Sequence, residues 1–126
     1  MRFAYRTWPY PPAPVIPIRL GLPEQSLTLG PFDAVVDTGA DLCLVPVALL
    51  SELSVPPIGY RRLCSAWGHR QPVSVFAMDI GLGKIRLPSI EVAAYPGGDE
   101  VILGLNALNK LVLVLNGPRQ MLELET

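Results

Sequence analysis

Proline or glycine fills about one position in five of this chain, with 14 prolines and 11 glycines among 126 residues. A proline removes a backbone donor, and either residue interrupts a long helix. A helical bundle is therefore not expected, and short strands joined by many turns are. Hydrophobic residues make up 50% of the sequence and charged ones 17%, which supplies a packed interior and rules out a wholly disordered chain. The length suits one domain, and two independent cores are not expected. A core of this size is small, so oligomerisation is an expected source of further burial.

The formal net charge is -1, and only two of the ten basic residues are lysines, Lys84 and Lys110. Arg61-Arg62 is the closest basic cluster. No basic stripe is present to neutralise several phosphates, so no nucleic-acid partner is expected. Cys43 and Cys64 are the only cysteines. A disulfide between them can be drawn, but two buried free thiols are the expectation. With no CxxC and no histidine cluster, no metal site is expected. Leu111 to Leu115, the longest leucine-rich run, is far too short to cross a bilayer, and Trp8-Pro9-Tyr10-Pro11-Pro12 stands where a signal sequence has its apolar core. A soluble cytoplasmic domain with no membrane partner is the resulting expectation.

Along the chain, residues 1–14 read as a proline-rich extended arm, and residues 15–126 as the folded domain. Strands are expected over Val15–Leu20, with Pro17 marking an edge or a break, and over Leu27–Leu29, Ala34–Val36 and Leu42–Val45. Pro46 opens a short helix through Leu53. Arg61–Cys64 and Val73–Met78 form a hairpin with a long tip around Ser65–His69. Asp79–Leu87 offers a strand pair around Gly81 and Gly83, followed by strands over Ser89–Ala94 and Val101–Leu103. Asn106–Leu111 holds one or two helical turns, with Asn106 and Asn109 as caps. Leu111–Leu115 and Gln120–Leu124 make a last hairpin, whose first strand is apolar on both faces and so is either central or covered by a partner.

The most informative stretch is Val35-Val36-Asp37-Thr38-Gly39-Ala40. An acid directly after a buried strand is costly unless the strand ends there and hydrogen bonds receive it. Thr38 brings a hydroxyl, and Gly39 permits close backbone approach. Together they can hold a carboxylate rigidly at a cleft. A second apolar-apolar-glycine run, Val101-Ile102-Leu103-Gly104, follows with Asn106, Leu108 and Leu111 downstream.

These two motifs, with Gly104 placed 67 positions after Asp37, resemble those of the retropepsin-like aspartic proteases over roughly residues 15–124. The resemblance implies an all-β, closed acid-protease fold with one or two short helices. It implies Asp37 as the catalytic carboxylate, Thr38 bracing two catalytic loops against each other, and Gly39 lining the substrate channel. Ala40 and Asp41 would continue that wall. Ala66, Trp67 and Gly68 would lie at the tip of a flap over the substrate, with Trp67 either covering the cleft or packing in the ordinary way. Leu103 and Gly104 would support the catalytic loop. The family often has a basic residue after the second-motif glycine, able to pair with the acid four positions after the catalytic aspartate. Leu105 stands there instead, and Asp41 loses that partner.

Peptide hydrolysis of this kind needs two carboxylates that share one proton around a water. The chain has one D-T-G, and Asp33, Asp41, Asp79 and Asp99 lack its context. A homodimer with Asp37 from each subunit in one dyad is therefore expected, acting as an aspartic endopeptidase on extended polypeptides with no cofactor. The alternative is a catalytically inactive dimerisation or peptide-binding module with the same fold.

Overall fold

The computed structural model describes residues 1–126. Alternation of buried and exposed side chains builds its sheets. In β2 (Val15–Gly21), Ile16, Ile18 and Leu20 point inward while Pro17 and Arg19 face water, and each fully buried aliphatic contributes about 1.5–3 kcal/mol. The chain continues through β3 (Leu29–Val36), β4 (Cys43–Pro46), the single-turn α1 (Val47–Leu50), β5 (Gly59–Cys64), β6 (Arg70–Leu82), β7 (Ile85–Tyr95), β8 (Val101–Leu103) and the single-turn α2 (Leu105–Leu108). β9 (Leu113–Asn116) and β10 (Met121–Leu124) close the sequence, and β1 (Arg2–Ala4) opens it.

Seven strands form one sheet in the order β2-β3-β8-β4-β7-β6-β5, and a further pairing of β2 with β6 closes it into a barrel. The closed all-β fold with two short helices is thus the one expected. β8 lies between β3 and β4, parallel to the first and touching the second at Leu44–Ile102. This insertion brings both sequence motifs to the same end of the barrel. The core runs from Ile16, Ile18 and Leu20 through Met78, Ile80, Val92 and Leu103 to Leu122 and Leu124. No helix is long and apolar enough to cross a membrane.

Local structure departs from expectation in several places. Residues 2–4 form β1, which pairs with β10 in a three-stranded sheet ordered β1-β10-β9. The rest of the arm is a loop closed by paired backbone bonds between Arg6 and Ala13, with Trp8 and Tyr10 exposed. β6 and β7 are long continuous strands that turn at Gly83-Lys84. Gly81 sits within β6, and a register shift between Met78 and Ile80 supplies the irregularity. Such a bulge bends a strand without ending it. α1 stops at Leu50, short of the expected Leu53. β9 is not central: it is the open edge of its sheet.

Candidate active site

β3 delivers Asp37 to the end of the barrel. The Asp37 N–H donates to the Leu103 carbonyl at 3.1 Å, which extends the parallel β3–β8 ladder by one bond. One carboxylate oxygen, Oδ1, accepts the Gly39 N–H at 2.8 Å. The Asp37 carbonyl accepts the Ala40 N–H at 3.3 Å, which folds the loop back. The second carboxylate oxygen makes no hydrogen bond within the chain, so a half-buried acid presents one free oxygen outward.

The second motif holds this loop from below. Ala40 and Asp41 carbonyls accept the N–H groups of Leu105 and Asn106 at 2.8 and 3.1 Å. Leu103 is fully buried beneath them. Gly104 packs so closely that an added Cβ would lie 2.4 Å from the Leu42 carbonyl oxygen and 2.9 Å from that of Ala40. Only glycine fits there. The Gly104 N–H faces the Cys43 sulfur at 3.4 Å, and burial pushes that thiol up to about 11, so it stays neutral and unreactive near neutral pH. Both cysteines are free, but Cys64 is exposed, against the expected burial of both. Asn106 does not cap α2. Its side chain bridges β4 and β7, accepting the Cys43 N–H at 3.0 Å and donating to the Glu91 carbonyl at 2.8 Å.

Gly39, Ala40 and Asp41 line one wall of a cleft of about 520 Å³, and Arg61–Cys64 of β5 line the other. The Asp41 side chain is exposed and forms neither ion pair nor hydrogen bond, in keeping with Leu105 at the position of the missing basic partner. Across the cleft Arg61 is held by Glu91, with Nη2 at 3.0 and 3.2 Å from its two carboxylate oxygens.

Above the cleft, β5 and β6 project a hairpin. Ser65 organises its tip: Oγ accepts the N–H groups of Trp67 and His69, and the Ser65 carbonyl accepts that of Gly68. Gly68 adopts φ 83°, a left-handed conformation that favours glycine. Ala66, Trp67 and Gly68 lie outside the cleft lining. Trp67 is 89% exposed, so ordinary packing within the chain does not account for it.

One residue of structural weight escaped the sequence reading. Asp79 is 2% exposed. Its carboxylate accepts the Ser89 N–H at 2.8 Å, the Glu24 N–H at 3.0 Å and the Arg86 guanidinium at 3.0 Å. Those two backbone bonds, with Arg86 adding to them, hold its carboxyl below the usual carboxylate value. Its partners are spread along the sequence, so no local pattern marked it.

The family model for aspartyl proteases matches residues 24–107, which contain both motifs, the cleft and the hairpin. No curated protein sequence matches the chain significantly. Among solved structures, a retropepsin-like aspartic protease from Rickettsia conorii is similar at TM-score 0.65 and 13% identity, covering 97% of this chain and 86% of that one. The Simian Foamy Virus protease gives TM-score 0.54 and 20% identity over 76% of this chain and 92% of its own. The retroviral protease-like domain of Ddi1 from Leishmania major gives 0.55 and 16%, over 90% and 89%. A carboxylate loop clamped by a glycine motif from a neighbouring strand, within a sequence match over most of the barrel, makes this chain a member of the aspartyl protease family with the retropepsin-like fold.

Proposed function

We propose that the protein is an aspartic endopeptidase that works as a homodimer, with one Asp37 from each subunit forming the catalytic pair. The observation that carries this reading is the Asp37 carboxylate itself: one oxygen is fixed by Gly39 and the other is left without a partner in its own chain. Two such carboxylates facing each other share one proton, because like charges at that distance do not both ionise readily. The ionised member takes a proton from a water held between them. That water attacks the peptide carbonyl carbon while the protonated member gives its proton to the carbonyl oxygen. Collapse of the resulting diol breaks the C–N bond as the amine leaves with a proton.

In this reading Thr38 and Gly39 brace the paired loops, and Leu103 and Gly104 hold each loop at its height. Gly39, Ala40 and Asp41 form the floor under an extended polypeptide. Ala66, Trp67 and Gly68 close over it. Leu42, Leu44 and Leu63 give the cleft apolar walls, which suits substrates with apolar side chains beside the scissile bond.

The test is cleavage of a diverse peptide library by the wild type and Asp37→Asn, from acidic to neutral pH. The substitution is expected to lower the rate at least about a hundredfold, and a statine-type peptide to inhibit the wild type. Equal cleavage by both proteins would assign the activity to another source. Peptide binding without cleavage would favour the inactive module.

A further inference from the structure

Charge is divided between the two walls of the cleft. Between Arg19 and Arg61 the chain has no basic residue, while Glu24, Asp33, Asp37, Asp41 and Glu52 are acidic. Between Glu52 and Asp79 the signs reverse: no acid is present, and the β5–β6 hairpin carries Arg61, Arg62 and Arg70. The acidic run contains the loop on one side of the cleft, with Asp41 in it. The basic run contains the strand on the other side, with Arg61 in it. A gap with one sign on each wall acts on a charged ligand from both sides.

Strand parity assigns Arg61, and not Arg62, to the cleft face of β5. Residues directly opposite in a sheet share a face, and so do residues two apart on one strand. Leu44 lies opposite Ala93, and Glu91 stands two residues before Ala93. Glu91 lies opposite Ala77 on β6, four residues after Val73, and Val73 lies opposite Arg61. Leu44, Glu91, Arg61 and Leu63 therefore share one face. Three of them, Leu44, Arg61 and Leu63, line the cleft. The bond from Arg61 to Glu91 across β6 is the contact that this parity requires. Arg62 has the opposite parity.

Glu91 orients Arg61 and leaves most of its donors free. Both carboxylate oxygens bind Nη2, at 3.0 and 3.2 Å, while Nε and Nη1 have no partner in the chain and the side chain is 54% exposed. The Glu91 carbonyl accepts the Asn106 side chain, and the Asn106 N–H donates to the Asp41 carbonyl. The anchor of the guanidinium is thus tied to the loop across the cleft. On that loop the Asp41 carboxylate is exposed and unpaired. We infer that these two side chains select substrate by charge: Arg61 takes an acidic side chain, and Asp41 takes a basic one on the adjacent residue of an extended polypeptide. Successive side chains of an extended chain point to opposite sides, so neighbours reach opposite walls. A guanidinium with free N–H donors suits a carboxylate, and an acid facing Asp41 or a base facing Arg61 meets its own sign. This selection rests on the proposed reading of the cleft as a polypeptide site, but binding alone can test it.

The test uses the full chain as Asp37→Asn, so that peptides bind without being cut, and calorimetry as the readout. Neutral host peptides carry Glu-Lys, Glu-Gln, Gln-Lys or Gln-Gln, and the reversed pairs, stepped along their length. At the best position, restoring Glu to Gln-Lys is expected to tighten binding about fivefold, and restoring Lys to Glu-Gln by a similar factor. Arg61→Gln should abolish the gain from Glu and keep the gain from Lys, and Asp41→Asn should do the converse. Arg62→Gln should keep both gains. All three positions are exposed, and circular dichroism checks that each variant is folded.

Equal affinity for all the peptides would overturn the selection, as would an equal loss of the Glu preference in Arg61→Gln and Arg62→Gln, which would replace a contact by a diffuse field. Binding of none of the peptides would overturn it together with the reading of the cleft as a polypeptide site. Cleavage by the wild type with no charge preference would sink the selection alone. Charge-selective binding with no Asp37-dependent cleavage would uphold the selection and sink the protease reading alone.

Discussion

Gly104 holds its position by what it lacks. Its α-carbon lies against the Leu42 and Ala40 carbonyls, so any side chain would push the Asp37–Leu42 loop away from β8. Gly104→Ala is expected to cost about 1–3 kcal/mol of stability and to lower cleavage, as urea titration and peptide assay would record. Gly59→Ala is the matched control, because an added Cβ there meets nothing, and a change within about 0.5 kcal/mol is expected. A neutral result at Gly104 would mean that the loop is not clamped as described. Both motif glycines were legible in the sequence, since Gly104 directly follows the apolar run Val101–Leu103 and only Asp37-Thr38 separates Gly39 from Val35-Val36, each run short and apolar as a strand into the core is. The work of Asn106 was not legible: an asparagine beside a helical turn reads as a cap, and only the tertiary fold brings Cys43 and the Glu91 carbonyl to its two ends.

Among the elements, the β5–β6 hairpin joins a hydrogen-bonded tip turn to the most exposed aromatic. Ser65 and Gly68 shape the tip, and Trp67 stands at its end with no contacts to bury it. An exposed indole at the rim of a cleft gains apolar contact when a ligand arrives. In Trp8→Phe, Trp67 is the sole tryptophan, and its emission is expected to shift to the blue when a statine-type peptide binds. Trp67→Ala is expected to weaken that peptide about tenfold. Unchanged emission at saturation would remove Trp67 from the binding surface. The hairpin itself was legible because two strand-like runs, Arg61–Cys64 and Val73–Met78, flank a short stretch with the turn residues Ser65 and Gly68. The length of β6 was not, because Asp79 and Gly81 look like breakers until the bulge beside Met78 and the buried acid are seen together. The pairing of β1 with β10 was hidden for a similar reason: a run of prolines in residues 9–14 says nothing about the three residues at the start of the chain.

On the scale of the whole molecule, Asp79 ties the loop at Glu24, the strand at Ser89 and the Arg86 side chain to one buried point. Its folded carboxyl titrates below the ordinary value of 3.8, held there first by the Ser89 N–H, then by that of Glu24, with Arg86 adding to both. The unfolded state thus binds this proton more readily than the folded one. The stabilisation is complete above the ordinary value and is lost as pH falls through the depressed folded value. Urea midpoints measured down an acid series should fall in that range. Asp79→Asn should be less stable at neutral pH and show a flatter acid limb, and an unchanged limb would remove Asp79 from the acid response.

The free oxygen of Asp37 has a consequence for populations of chains. If each chain brings half of the chemistry, Asp37→Asn subunits do not merely dilute the enzyme but sequester intact ones. Chains mixed in equal amounts and allowed to exchange should keep about one quarter of the activity, since random pairing leaves that share of dimers with two aspartates. Retention of one half would mean that each chain works alone. At protein concentrations below the dimer's dissociation constant, output should then rise with the square of the amount of protein, so that expression level itself would control the proposed proteolysis.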